Sequence, residues 1–332
     1  MDVLPKVVSV SILAMEALKG RVSPSLKFYN QLVEDLKMEW AGHNGEKALI
    51  YPLSQLENNK YLIFHGLRLQ GDGYTVQLDV YLISLYFSLI LEAKNWAGEV
   101  CFKKNPKQVV RIVNDVTQGM PNPVEQVKMQ QHNIKKWLVD NQLPSIPIEG
   151  YAVFGSSTIV TIEKGYYEAE KFICKTDCLY STIRKMETLY KTPVLTHEKL
   201  HEIKTQLLEK NTPLIKNLYE HYRFERSVII TGVRCPQCLV LGMKYKRKQW
   251  CCACGCNSKN AHIQALRDYL LLFGPAISNR EMRWFLHLPS KSITSKLIAE
   301  VKLEKVGSTR KARYKLPWDL VYSTSFKSEK KV

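Results

Sequence analysis

Acidic residues are scarce in this chain: Asp and Glu number 31 against 48 Lys and Arg, which gives a formal net charge of +17. The deficit is deepest in the last third, where the segment from Ser227 to Val332 holds 20 Lys and Arg but only 6 Asp and Glu. Such an imbalance indicates a polyanionic partner.

Long apolar runs are also missing. No stretch reaches the length of a membrane-spanning helix. The short apolar segment from Val7 to Ala14 lacks the cleavage site of a signal peptide. Internal repeats are absent, while 332 residues with 45% hydrophobic content are ample for two or three domains with their own cores. We therefore expect a cytoplasmic protein that does not enter a membrane.

The cysteines lack the even spread of a secreted disulfide framework. Six of the nine lie between residues 235 and 256. Clustering of this kind is typical of metal binding in a reducing compartment.

Two Cys-x-x-Cys pairs stand within this cluster. Cys235 and Cys238 form the first, Cys251 and Cys254 form the second, and a basic, aromatic stretch separates them. Four thiolates on two tight turns are what tetrahedral Zn²⁺ requires. The sequence leaves one choice open, since Cys252 or Cys256 could replace Cys251 or Cys254.

An apolar run from Val80 to Leu91 predicts two buried strands joined by a turn. Glu92 and Lys94 follow the run and, two residues apart in a strand, leave the same face. Asp79 stands at its start. Two carboxylates and an amine that converge at a sheet edge suit phosphodiester hydrolysis, in which the acids hold a divalent cation and the lysine positions or activates water.

The flanking segments predict an α/β core. Asn122-Pro123 is typical of a helix start, and the stretches 61–69 and 148–154 are typical of strands. A helix from about residue 24 to 40, a break at His43–Glu46 and a second helix to Leu56 are expected before them. Thr196 and Thr212-Pro213 are each expected to begin a helix.

The C-terminal part predicts three helices, over 261–273, 280–286 and 293–300, and then a basic hairpin. This is the order of a winged helix-turn-helix. DNA contacts are expected from the third helix and the hairpin, at Lys291, Thr294, Lys296, Arg310, Lys311 and Arg313. The alternative is a small helical cap with a solvated basic face.

Four motifs resemble those of the nuclease-related domain (NERD) family, a branch of the restriction-endonuclease-like PD-(D/E)xK superfamily. They are Gly45-Glu46, Gln77-Leu-Asp79, Glu92-Ala-Lys94-Asn-Trp-Ala-Gly98 and Asn122-Pro-Val-Glu-Gln126. The resemblance covers about residues 40–155 and implies a mixed central sheet flanked by helices. Family members also carry topoisomerase-type zinc fingers, which the cysteine cluster resembles.

The resemblance implies a site. Asp79 and Glu92 would hold Mg²⁺ or Mn²⁺, Lys94 would be the catalytic lysine, and Glu46 and Gln126 would complete the site. Two features depart from the family pattern. Val80 stands where the family commonly has His, and the turn between Ser84 and Ser88 contains no Gly.

Together these observations predict an α/β, restriction-endonuclease-like core followed by a helical linker, a zinc ribbon and a small winged-helix-like module. The expected segments are an N-terminal helical extension (1–39), a NERD nuclease-like domain (40–162), a helical linker (163–228), the zinc ribbon (229–260), the winged-helix-like module (261–320) and a basic tail (321–332). The expected function is that of a metal-dependent DNA endonuclease. The alternative is an inactive nuclease-fold protein that binds DNA or acts as a scaffold in DNA processing or defence, and RNA is a weaker candidate substrate.

Overall fold

The computed structural model describes residues 2–57, 59–307 and 312–322. The chain divides into two compact units. The first unit comprises residues 1–8 and 38–214, and the second comprises residues 9–37 and the chain from 215 onward. The segment 163–214, expected to be part of a helical linker, belongs to the first unit.

The first unit is a mixed α/β structure. Its elements are β1 (Asp2–Leu4), the second half of α2 (Tyr29–Lys47), α3 (Ile50–Ser54), β2 (Leu62–Gly71), β3 (Tyr74–Ile83), β4 (Ser88–Lys94), β5 (Glu99–Phe102), β6 (Val109–Val113), β7 (Val116–Met120), α4 (Pro123–Asp140), β8 (Ile148–Phe154), β9 (Ile159–Ile162), α5 (Tyr167–Phe172), β10 (Ile173–Lys175), α6 (Leu179–Leu189) and α7 (His197–Glu209).

A six-stranded sheet in the order β1-β2-β3-β4-β8-β10 forms the centre of this unit. Strands β2, β3 and β4 run antiparallel, whereas β8 pairs in parallel with both β4 and β10. A second sheet has the order β7-β6-β5-β9. The mixed central sheet flanked by helices is the expected fold class.

Both faces of the central sheet are covered by apolar side chains of helices. On one face, Ile134 and Trp137 of α4 and Leu207 of α7 join the core. On the other, Leu53 of α3 and Ile183 of α6 do so. Burial of apolar surface on both faces is the main favourable contribution to the stability of such a sheet.

The predicted pair of buried strands is confirmed, but three predicted helix boundaries are wrong. Helix α2 begins at Tyr29 and continues through His43 and Gly45 to Lys47, so there is no break at this point. No helix begins at Thr212-Pro213, and the next one starts at Leu218.

The second unit contains a small sheet beside the cysteines and a helical module after them. Its elements are α1 (Val10–Lys19), the first half of α2, α8 (Leu218–Tyr222), β11 (Val233–Arg234), β12 (Leu241–Lys246), β13 (Gln249–Cys251), β14 (Asn257–Ser258), α9 (Ala261–Phe273), β15 (Ala276–Ile277), α10 (Asn279–Leu286), α11 (Lys291–Glu300), β16 (Glu304–Val306), β17 (Arg313–Lys315) and α12 (Asp319–Tyr322).

The last part of this unit has the predicted order of helices and hairpin. Strands β16 and β17 pair antiparallel, and β15 pairs with the other edge of β17. The Ser278 hydroxyl accepts a hydrogen bond from the Glu281 N–H, and the Glu281 carboxylate accepts one from the Ser278 N–H. This capping box fixes the start of α10 where the sequence predicts it.

A buried ion pair joins the segment 9–37 to the rest of the second unit. The Arg21 side chain is fully buried, and its Nε lies 2.8 Å from Asp268 Oδ2 in α9. Its Nη1 donates to the carbonyl oxygens of Ile230 and Gly232, each at 3.1 Å. Loss of one partner from such a pair leaves an uncompensated buried charge, so this contact ties the segment just after α1 to α9.

Among the residues that the structure describes, no helix combines the length and the apolar character that crossing a bilayer requires.

Candidate active site

Asp79 lies at an irregularity of the central sheet. The strand register places it opposite Gly66, whose φ of +67° is left-handed. Leu78 and Tyr81 pack in the same core cluster, although strict alternation would send them to opposite faces. The interruption turns Asp79 toward the end of β4, where its Oδ2 accepts the Ala93 N–H at 2.9 Å.

Glu92 is almost fully buried, and both of its carboxylate oxygens accept hydrogen bonds. Oε1 accepts from Lys94 Nζ at 2.8 Å and from Gln126 Nε2 at 2.7 Å. Oε2 accepts from Gln130 Nε2 at 2.6 Å. Three donors therefore fix the position of this carboxylate at the end of β4.

Lys94 shares the face of Glu92, as strand alternation predicts. Its Nζ also donates to Gln126 Oε1 at 2.9 Å and lies 5.8 Å from the centre of the Trp96 ring. The side chain is only 14% exposed. The ammonium group is thus held at the mouth of the site with little freedom to move.

Glu46 reaches the site from the last turn of α2. Gly45 allows a close approach there, because a Cβ at this position would lie 2.7 Å from the Cβ of Asn95. Asn95 Nδ2 in turn donates to the Ala41 carbonyl oxygen at 3.0 Å. The Glu46 carboxylate forms an ion pair with Lys6, which follows β1.

Burial and mutual repulsion govern the electrostatics of these acids. Burial holds the pKa of Asp79 well above its usual range, and the charges of Glu92 and Glu46 raise it further. Burial also raises the pKa of Glu46; Lys6 opposes this shift, and Glu92 adds to it. When the fold raises the pKa of an acid, the surrounding groups stabilise its ionised form less well than water does.

A divalent cation fits this arrangement, because its positive charge would stabilise the ionised carboxylates. Asp79 and Glu92 offer two carboxylates, and hard cations such as Mg²⁺ bind oxygen and keep several waters or phosphate oxygens. These acids do not form a closed cage. In the described part of the chain, the only group of three or more His, Cys, Asp or Glu ligand atoms within 4.8 Å of one another is a set of cysteines.

The two departures from the family motifs have clear structural settings. Val80 is fully buried in the core beside α3 and α6, directly across from His65 on β2. In the turn between β3 and β4, the Ser84 hydroxyl accepts the N–H groups of Tyr86 and Phe87, each at 3.2 Å. Side-chain hydrogen bonds of Ser84 thus stabilise a turn that contains no Gly.

Sequence reasoning missed Gln130 and Lys6. Gln130 is buried and joins Glu92 to the main chain of β3, since its Nε2 also lies 3.0 Å from the Gln77 carbonyl oxygen. The spacing of Gln130 from Gln126 could have identified it, because residues four apart share a helix face. No sequence signal links Lys6 to Glu46, which lies 40 residues further along the chain.

We expect Gln130→Leu to lower the free energy of unfolding by about 1–3 kcal/mol, because one Glu92 oxygen loses its buried donor. Urea denaturation measures this change. Gln131→Leu is the matched control on the same helix. It removes a 2.9 Å hydrogen bond to the neutral Ile148 carbonyl oxygen, which costs about 1 kcal/mol or less. Equal losses for the two variants would contradict the role given to Gln130.

The cysteine cluster of the second unit forms a separate candidate metal centre. The Sγ atoms of Cys235, Cys238, Cys252 and Cys254 all lie within 4.8 Å of one another. Cys235 and Cys254 Sγ are 3.7 Å apart, and Cys238 and Cys252 Sγ are 3.6 Å apart. Tetrahedral Zn²⁺ with its usual bond length to sulfur requires sulfurs about 3.8 Å apart. The four thiols therefore fit zinc.

The cluster contains Cys252, one of the two alternatives that the sequence leaves open, in the place expected for Cys251. Cys251 is the last residue of β13 and pairs with Lys244 of β12, so the strand ladder holds it away from the cluster. Cys252 is the first residue of the turn that follows. His262 also lies outside the group, and its Nδ1 accepts the Trp250 indole N–H at 3.1 Å.

The predicted DNA contacts differ in their accessibility. Lys291 and Lys296 are exposed on α11. Thr294 is fully buried, and its hydroxyl donates to the Ser290 carbonyl oxygen at 2.9 Å, so its assignment as a DNA contact is wrong. On β17, the Arg313 guanidinium is about half exposed but lies 2.9 Å from the Glu281 carboxylate. Arg310 and Lys311 lie outside the described residues.

Comparison with known families found one match, and it lies within the first unit. The family model of the nuclease-related domain (NERD) matches residues 41–155, the segment that carries every residue of the carboxylate and lysine site described above except Lys6. The chain therefore contains a nuclease-related domain, as the motifs predict. A search of curated proteins and a search of solved structures both found no match.

Proposed function

We propose that this protein is a metal-dependent endonuclease that hydrolyses phosphodiester bonds of DNA. The observation that carries the proposal is the contact of Lys94 Nζ with Glu92 Oε1, 2.8 Å apart, at the strand end that also receives Asp79. An amine and two acids in this relation, within a nuclease-related domain, suit phosphate ester hydrolysis.

Each residue has a distinct role in this proposal. Asp79 and Glu92 would hold Mg²⁺ or Mn²⁺, which would supply the positive charge that polarises a scissile phosphate. Lys94 holds the attacking water or a phosphate oxygen by a hydrogen bond, and Gln126 keeps the ammonium group in place. Gln130 orients Glu92. Glu46 adds negative charge, and Lys6 partly neutralises it.

The second unit would bind the nucleic acid. The exposed Lys291 and Lys296 on α11 and the basic excess of the last third support this role. We also propose that Cys235, Cys238, Cys252 and Cys254 hold a structural Zn²⁺, because a set of four thiolates leaves no open position for chemistry.

A cleavage assay on single- and double-stranded DNA and RNA tests the proposal. We expect cleavage of DNA with Mg²⁺ or Mn²⁺ and none with Ca²⁺ alone or without a divalent ion. Ca²⁺ is the informative control, because it binds carboxylates but is larger and has a looser geometry. Cleavage that is independent of the divalent ion, or confined to RNA, would contradict the proposal.

One observation favours a second candidate, an inactive nuclease fold that binds DNA or acts as a scaffold. Both Glu92 oxygens already accept protein hydrogen bonds, so a metal ion must compete with Lys94, Gln126 and Gln130 for them. This candidate predicts salt-sensitive binding through the last third of the chain and no cleavage of any substrate.

A further inference from the structure

A two-residue turn at the tip of the β12–β13 hairpin has an unusual composition. Lys246 pairs with Gln249, so Arg247 and Lys248 alone form the turn. Their φ angles are +47° and +62°, as in the centre of a type I′ turn. Such turns favour Asn, Asp and Gly, because other side chains are strained in the left-handed region.

The same chain contains a turn of this kind with favoured residues. In the β6–β7 hairpin, Val113 pairs with Val116, and Asn114 and Asp115 have φ angles of +49° and +62°. The β12–β13 and β6–β7 turns therefore have nearly the same backbone conformation, but only the first has basic residues at its centre. The long cationic side chains at the β12–β13 turn gain little packing in return for the strain, since both are exposed. Strain that persists without compensating contacts points to a functional site.

The surroundings of the turn are strongly basic. From residue 234 to 267 the sequence has seven Lys and Arg and no Asp or Glu. Lys244 and Lys246 of β12 are exposed and, two residues apart, share a face that leads to the turn. In the described ranges of the chain, no ion pair joins any of the four hairpin cations to an acid.

We propose that the β12–β13 hairpin is a binding site for the phosphate backbone of a nucleic-acid strand. Arg247 and Lys248 contact phosphates at the tip, and Lys246 and Lys244 contact further phosphates along the strand. The inference rests on the proposed function, in which the second unit binds nucleic acid, and it names a surface separate from α11. Contacts of this kind position a protein on nucleic acid without reading its sequence.

The double variant R247N/K248G tests this site, because it removes two charges and also relieves the turn. We expect a higher melting temperature than that of the wild type together with weaker binding. On labelled DNA without Mg²⁺, the loss of two phosphate contacts should lower affinity roughly 25- to 60-fold at 0.1 M salt. The plot of log binding constant against log salt concentration has a negative slope, and its magnitude should decrease by about 1.4 on a single strand or about 1.8 on a duplex. The two substrates are measured separately.

Two control variants are needed. One keeps the positive charge of the turn while its residues change, and the other removes the same total charge from elsewhere in the protein. R247K/K248R keeps both cations and should bind as the wild type does. K135N/K199N removes two exposed lysines from helices of the first unit, and we expect less than a threefold loss. If R247N/K248G binds like the wild type, or has a lower melting temperature, the hairpin site is wrong while the proposed function stands. If the wild type itself binds no nucleic acid, both are wrong.

Discussion

Asp79→Asn should abolish metal-dependent cleavage and raise the stability of the protein in Mg²⁺-free buffer. The cleavage rate should fall about 1,000-fold or more, because an amide cannot neutralise the cation that a carboxylate holds. The amide oxygen can still accept the Ala93 N–H, which Asp79 accepts at 2.9 Å. The fold should therefore tolerate the change.

The gain in stability follows from the raised pKa of Asp79, which burial and then Glu92 and Glu46 cause. The unfolded chain ionises this group near its ordinary pKa, so folding costs more as pH rises from there to the folded pKa. At pH 8 we expect the melting temperature of the variant to exceed that of the wild type. Mg²⁺ should stabilise the wild type but not the variant.

Asp72→Asn provides the matched control, because Asp72 is exposed in the turn between β2 and β3. We expect it to leave the cleavage rate, the melting temperature and the effect of Mg²⁺ unchanged. If Asp79→Asn cleaves as fast as this control, Asp79 has no part in the reaction.

Cys252→Ser should remove bound zinc and unfold the small sheet of β11–β14. Apparent folding free energies of structural zinc sites are about 10–16 kcal/mol in isolated zinc-finger peptides, so the effect on this module should be large. Zinc content measured by mass spectrometry under non-denaturing conditions should fall from one ion per chain to none. Loss of protection from hydrogen exchange over the same strands would report the unfolding.

Cys251→Ser distinguishes the structural assignment from the sequence-based one. The two cysteines are neighbours, but Cys251 remains in the β13 ladder and Cys252 joins the cluster. We expect Cys251→Ser to keep its zinc and its fold. Zinc loss in Cys251→Ser with retention in Cys252→Ser would show that the Cys-x-x-Cys pattern was the correct guide.

The central strands and one half of the site could be predicted because their signals are local. Alternation places Glu92 and Lys94 on one face, and the contact between them confirms this. Asn122 caps α4 with its side chain, as Asn before Pro predicts, and the cap sets the helix position that carries Gln126 to Glu92. Local patterns suffice where a residue's role depends on its own strand or helix.

The rest of the site depends on contacts between distant segments. Gly45 predicts a helix break on propensity alone, but in α2 it allows close approach to Asn95. The ion pair of Lys6 with Glu46 requires the pairing of β1 with β2, which no local pattern specifies. Alternation also fails at Asp79, because the irregularity at Gly66 belongs to the neighbouring strand.

The most direct test of the central claim compares DNA cleavage by the wild type, Lys94→Met and Lys135→Met under single-turnover conditions with Mg²⁺. Lys135 is exposed on α4, outside the site, and serves as the matched control. We predict cleavage by the wild type and Lys135→Met, a rate at least about 100-fold lower for Lys94→Met, and similar DNA affinity for all three. Cleavage by Lys94→Met at the wild-type rate would contradict the assignment of this site.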